Sequence, residues 1–296
     1  GGKDMRKLKM RIIALNLICI MLMGTGALSF ASAKVPDEDY EDYAPVIGEY
    51  IYDAELEVLA AEKERTAKQY YNSKLSRSMT AEENLNIFAK KQVTTPLLKE
   101  GSPSLYAKTR RLAIFQNPQE KYNWCGYAAI QSLLDYEGIS KTQNRIARDV
   151  YKTDYSCPWY LSNGNDRSQF PVPVYLTDQI DFYYIPYPKG AAGTTDITGE
   201  DIDFRIVSTI DSGHGVMACG ISYGNKKNDP SILPGYPARK IGHWIAIDGY
   251  QDYGDEIWII DPAKSEEVSW SDDISRYYSI SADKLAAFSK SKGIVY

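Results

Sequence analysis

The stretch HWIAIDGYQDYGDEIWIIDP, residues 243–262, holds two apolar, β-branched and aromatic runs joined by a polar turn. Runs of that kind at this spacing predict an antiparallel hairpin. Positions 243 and 261 are symmetric about Asp252 in the turn, so pairing brings His243 and Asp261 to the same end of the ribbon. Opposite or diagonal neighbours there lie within roughly 8 Å. Asp248 is an odd number of residues from His243 and points to the other face. A side chain at a strand end is aimed by the sheet, which suits a base that must hold its geometry. A packed, hydrogen-bonded histidine is the plainer alternative. The second histidine, His214 in SGHGV, reads as an exposed turn residue.

A nucleophile for such a base is sought upstream, in QEKYNWCGYAAIQSLLDYEG, residues 119–138. The spacing predicts a helix over 125–137, closed by Gly138, with Cys125 at its start. A helix N-terminus favours negative charge and so stabilises a thiolate. Gly126, Ala128 and Ala129 leave room for close approach. The Cys125 N–H and a glutamine upstream, Gln119 or Gln116, are candidate oxyanion donors. A buried structural cysteine is the competing reading of Cys125, and ordinary loop residues that of the glutamines.

Cys125, Cys157 and Cys219 are the cysteines after residue 33, and three cannot all pair within one chain. A Cys157–Cys219 bridge would leave Cys125 free. No cysteine pair has metal-finger spacing and the chain has only 2 histidines, so no cofactor or metal is expected. The loop SNGNDRS, 162–168, has too few acids for calcium.

The chain of 296 residues is 44% hydrophobic, enough for a sizeable core. Its 24 tyrosines predict many half-exposed rings with the hydroxyl in water. A net charge of −5 gives no electrostatic case for nucleic acid or anionic lipid as a partner. MRKLKMR at 5–11, an apolar run at 12–30 and ASA at 31–33 read as an export signal with its cleavage site, implying a secreted or cell-surface bacterial product. No membrane span is expected after its removal. Cys19 lies in the apolar run without the small neighbour of a lipoprotein site.

The expected division is therefore 1–33, extension plus signal; 34–111, a helical segment with linker; and 112–296, the main domain. A helix is expected over 49–73, and a second from Thr80 with Glu83 completing a capping box. A Pro/Gly/Ser connector follows at 93–104. LAIFQ, 112–116, reads as a short strand, Ser140 or Thr142 as a helix cap, 151–200 as mostly irregular loops, and 215–222 as a strand. Helices first and sheet second is an α+β pattern.

QEKYNWCGYAAIQSLL, GHWIAIDGY and IIDPA together resemble the three signature blocks of the papain-like cysteine peptidases related to the bacteriocin-processing, double-glycine leader peptidases, in their secreted stand-alone form. The resemblance spans residues 112–296, and IDSG at 210–213 ahead of an apolar strand fits it. It implies a papain-like fold, a helical part with the nucleophile facing a sheet. It implies Cys125 as nucleophile, His243 as base, Asp261 as orienting acid and Gln119 as oxyanion donor by the family's six-residue spacing, with Gln116 the alternative. It implies a peptide or protein substrate and says nothing of oligomeric state. Many relatives carry proline or serine where this chain has Tyr127, and the transporter and ATPase parts of some relatives are missing, so double-glycine cleavage is not implied.

The same triad would serve an acyltransferase or transglutaminase-like enzyme. A non-catalytic papain-like binding protein using the tyrosine-rich loops at 151–200 is a further alternative. Ahead of such a domain, 34–111 reads either as a prosegment over the cleft, removed near Arg110 and Arg111, or as a permanent helical arm.

Overall fold

The computed structural model describes residues 40–48, 51, 53–89, 108–162, 170–188, 197–224 and 229–296. The export signal, the connector at 93–104 and the loop after Ser162 lie outside the described residues. In chain order the elements are β1 (Tyr40–Asp42), β2 (Val46–Ile47), α1 (Ala54–Ala89), β3 (Arg110–Arg111), α2 (Cys125–Tyr136), α3 (Gln143–Val150), β4 (Tyr160–Leu161), α4 (Pro171–Gln179), β5 (Pro186–Tyr187), α5 (Gly199–Asp211), β6 (Val216–Ser222), β7 (Lys240–Gln251), β8 (Glu256–Ile260), β9 (Tyr277–Ser281), α6 (Ala282–Ser289) and β10 (Gly293–Val295).

Strand β7 is the spine. The main sheet runs β5-β10-β6-β7-β8-β9, with β1 and β3 also on β7. Every β7 residue from Ile241 to Tyr250 is buried, because helices α2 and α5 pack against it. That double cover explains why its sequence is a nearly continuous apolar run rather than an alternating one. The β7–β8 hairpin expected from sequence forms, with Gln251 opposite Glu256 and Ala246 opposite Ile260. Its turn holds Asp252, Tyr253 and Gly254 at φ 48°, 63° and 109°, the left-handed region that Gly254 adopts without strain. A bulge between Ile247 and Gly249 leaves Asp248 out of the ladder, and its carboxylate accepts from Arg111 Nε at 2.9 Å.

A strand has two edges, and β7 uses both unevenly. One carries β6 from Ile241 to Ile247, then β3 at Gly249 and Tyr250. The other carries β8 along the second half of β7. At the start of that edge β1 pairs in parallel, Tyr40 opposite Lys240 and Asp42 opposite Gly242. Between β1 and β8, residues 243–245 have no strand partner on that edge among the described residues. The sheet opens there, at His243.

Several expectations change. The two N-terminal helices are one helix, α1. Nothing at 74–79 breaks it, since KLSRSM has neither proline nor glycine, so the Thr80 box does not start a helix. Its N-terminus is capped by Asp53, whose Oδ1 accepts from the N–H of Glu55 and of Leu56 at 3.0 Å each. LAIFQ is extended chain rather than a strand. Thr142 is the cap of α3 and accepts from the N–H of Arg145. Residues 151–200 contain α4, which begins on Pro171. Proline suits a first helical turn because its missing N–H would be unbonded there anyway. Thr198 and Asp201 make a capping box at α5.

The boundary expected at residue 111 is not one in the structure. Asp37–Tyr296 forms one compact unit. Arg110 and Arg111 are paired to Tyr250 and Gly249 in β3, so they form a strand of the sheet and not a connector. Helix α1 is tied to the rest by buried charge. Lys74 is 3% exposed and bonds both Asp211 and the Tyr250 hydroxyl. Tyr70 and Tyr250 each donate to Asp211, at 2.9 and 2.8 Å. Arg205 pairs with Glu64 at 2.9 Å.

Removing one partner of a buried ion pair leaves the other charge uncompensated. Lys74→Ala should therefore lower unfolding stability by about 3 kcal/mol. Urea denaturation of the variant against the parent checks this; an unchanged midpoint would mean that α1 does not depend on the pair.

Candidate active site

The site begins with a close approach. Cys125 is the first residue of α2, and Trp124 at the N-cap makes no side-chain cap bond. The first-turn N–H groups therefore lack intrahelical partners, and the positive end of the helix lies at the sulfur. The next residue is Gly126. A Cβ there would stand 2.4 Å from Cys157 Cβ, 2.9 Å from Cys157 Sγ and 2.9 Å from Trp244 Cδ1. Only glycine lets the helix start sit against β7 at the residue following His243. Trp244 is itself held, its Nε1 donating to Cys157 O at 3.0 Å.

His243 and Asp261 meet as the hairpin requires. With Ala246 opposite Ile260, Asp261 falls diagonal to His243, and His243 Nε2 lies 3.0 Å from Asp261 Oδ1. Against a carboxylate acceptor, Nε2 carries the hydrogen. Nδ1 is buried and makes no ordinary hydrogen bond, which leaves it for Cys125. Burial alone would lower the His243 pKa. The negative charge at Cys125, then that of Asp261 and the hydrogen bonds from both, outweigh burial and raise it well above the usual histidine range.

Asp261 accepts from four donors. Oδ1 takes the His243 nitrogen and the N–H of Ala263 at 2.9 Å. Oδ2 takes the hydroxyls of Tyr236 at 2.9 Å and Tyr278 at 2.8 Å. Burial first, and then the charge of Asp261, push both tyrosines far above their usual range, so both stay protonated donors. Tyr236 also stands edge-on to the His243 ring, 5.7 Å between centroids. Neither tyrosine was expected from sequence. The only signal was the abundance of tyrosine, and these two are buried donors rather than the half-exposed rings that abundance predicted.

The glutamines are placed but occupied. Gln119 is buried on the loop before α2, and its Nε2 donates to Lys121 O at 2.9 Å and Tyr122 O at 2.7 Å. Gln116 Nε2 donates to Asp261 O at 2.7 Å and Lys264 O at 3.1 Å. An amide nitrogen has two hydrogens, so each glutamine spends its donors on backbone. His214 bonds Glu137 at 2.8 Å and stacks on Phe182. Cys125, Cys157 and Cys219 are all free thiols, so the Cys157–Cys219 bridge does not form. Burial, and secondly the charge at Cys125, hold the Cys157 thiol high, which keeps it an inert neighbour. Among the described residues no cluster of three or more His, Cys, Asp or Glu could hold a metal ion. No helix among them is long and apolar enough to cross a membrane.

Residues 112–284 match the model of a family described as the Peptidase_C39 like family. No curated protein matches the chain. A crystal structure of a candidate C39-like peptidase from Bacillus anthracis is 11% identical, covers 62% of this chain and 92% of its own, and has a TM-score of 0.37. A likeness that weak carries no argument.

Two measurements follow from the geometry. In Cys125→Ala the charge that raises His243 is gone, so its imidazole should titrate at lower pH than in the parent. NMR titration of the His243 ring proton reads this directly; equal values would show that the sulfur does not act on the ring. Tyr278→Phe removes one donor to a buried carboxylate, a loss of about 1.5 kcal/mol. If Asp261 orients the base, kcat/KM falls about tenfold with KM unchanged.

Proposed function

Because the chain belongs to the C39-like peptidase family, we propose that it is an exported cysteine peptidase acting through Cys125, His243 and Asp261 on a papain-like scaffold. The observation that carries the reading is the line Cys125–His243–Asp261, with His243 bonded to Asp261 by one nitrogen and acted on by the sulfur through the other. Two buried partners of opposite sign raise the imidazole, which favours proton transfer from the thiol. Export rests on residues 5–33 of the sequence alone.

His243 Nδ1 takes the Cys125 proton and the thiolate attacks a peptide carbonyl carbon. The developing oxyanion is met by the Cys125 N–H at the open end of α2. Gln119, the donor implied by its spacing, would first have to release Lys121 O or Tyr122 O. His243 gives its proton to the leaving amine, and water then hydrolyses the thioester. Asp261 stays ionised throughout and holds the ring.

Hydrolysis of casein-derived peptides by the purified chain tests the reading. Cys125→Ala should lower kcat/KM by about 10⁴-fold or more. Labelling by a thiol-reactive peptide epoxide should map to Cys125. Turnover that appears only when a second amine is supplied would assign the site to acyl transfer instead.

A further inference from the structure

The candidate site is covered by its own chain. Cys125 and His243 are both 0% exposed. What covers them is the segment just before α1. Strand β1 runs parallel to the start of β7 and delivers Tyr43, whose N–H donates to Gly242 O at 3.1 Å, one residue before His243. The carbonyl oxygen of Tyr43 is 3.8 Å from Cys125 Sγ and is the acceptor that thiol meets. The carbon of that carbonyl is one bond, about 1.23 Å, from the oxygen.

The other side of the bond is held as firmly. Ala44 is 0% exposed, and its carbonyl accepts from the buried Lys292 Nζ at 2.7 Å. Pro45 O accepts from the N–H of Trp159 at 3.0 Å, and β2 pairs in parallel with β4, Val46 opposite Tyr160. The chain is thus laid through the cleft in extended form, with the peptide bond between Tyr43 and Ala44 at the sulfur. The Tyr43 ring packs edge-on to Tyr122, 6.0 Å between centroids, and is 7% exposed. The Ala44 site has no visible surface left for a larger side chain.

We propose that the peptide bond between Tyr43 and Ala44 is the chain's own first substrate, cleaved in cis by Cys125, and that these two residues display the specificity of the cleft: an aromatic residue on the acyl side and a small one on the amine side. The proposal rests on the peptidase reading above. In the first half, the Cys125 proton passes to His243 Nδ1, an S–C bond forms at the Tyr43 carbonyl and the C–N bond to Ala44 breaks. His243 returns the proton to the Ala44 nitrogen, which becomes a new amino terminus. In the second half, one water hydrolyses the Tyr43 thioester to a carboxylate and restores the thiol. Placing nucleophile and carbonyl in one chain makes the first turn unimolecular, worth many orders of magnitude over an encounter in solution. Release is asymmetric. The amine side continues into α1, which Lys74 and Asp211 tie to the core, whereas the acyl side is held by the short β1 pairing and the Tyr43 contacts. Cleavage therefore frees the acyl side of the cleft and leaves Ala44 onward in place.

The test uses the full chain as wild type, Cys125→Ala, Tyr43→Phe and Tyr43→Asp, each shown folded by circular dichroism, with intact mass and N-terminal sequencing over time. The wild type should acquire Ala44 as its amino terminus with a rate independent of protein concentration, and Cys125→Ala should stay whole. Tyr43→Phe should cleave within about threefold of the wild type and Tyr43→Asp at least about tenfold more slowly. A cut near Arg110 and Arg111, a rate that rises with concentration, or equal rates in Tyr43→Phe and Tyr43→Asp would overturn the proposal. The two levels separate cleanly. If Tyr43→Asp hydrolyses added peptides and takes the epoxide at Cys125 while the wild type stays whole, self-cleavage alone is wrong. If neither chain hydrolyses peptide nor is labelled, the peptidase reading falls with it.

Discussion

The candidate site depends on how closely the first turn of α2 lies on β7. A Cβ on Gly126 would come within 2.4 Å of Cys157 and 2.9 Å of Trp244, so the gap is one glycine wide. Gly126 follows the candidate nucleophile and Trp244 follows the candidate base. Their contact therefore sets the distance over which a proton would move. Interiors are packed like organic crystals and resist displacement. A helix start wedged against a buried tryptophan is a rigid mount for a sulfur.

The second constraint is electrostatic. A carboxylate buried as deeply as Asp261 is costly unless every lone pair finds a partner. Asp261 has four donors, two of them tyrosine hydroxyls. Asp211 solves the same problem with Lys74 and two other tyrosines, and in doing so fastens α1 to the core. The richness in tyrosine thus has a structural use. Each ring fills apolar space and brings one donor to a buried acid. At Asp261 the device also fixes the face of the carboxylate that meets His243.

Much of the site could be read from residue spacing because a hairpin is a local object. The pairing of 243 with the region of 261 follows from the turn, and the structure has them 3.0 Å apart. Asp248 was placed on the other face by parity and does pair away from the site, with Arg111. Other readings failed for physical reasons. Thr80 and Glu83 have the chemistry of a cap, but a continuous helix former on both sides overrides it. Residues 171–179 looked irregular because two prolines hide a helix that starts on one of them. The spacing that singles out Gln119 places it on the right loop, and says nothing of the two carbonyls that engage its nitrogen.

By itself the sequence determined the α+β order, the hairpin and which cysteine, histidine and aspartate could act together. These rest on local periodicity and on turn geometry, which operate over a few residues. Only the tertiary structure decided what surrounds them. Tyr236 and Tyr278 reach Asp261 from a loop and a neighbouring strand, and Cys157 and Cys219 stay unpaired because each is buried in its own place. The structure alone also shows that Tyr43, remote in sequence from Cys125, lies across it. Those contacts are set by long-range packing of side chains whose neighbours no spacing rule names.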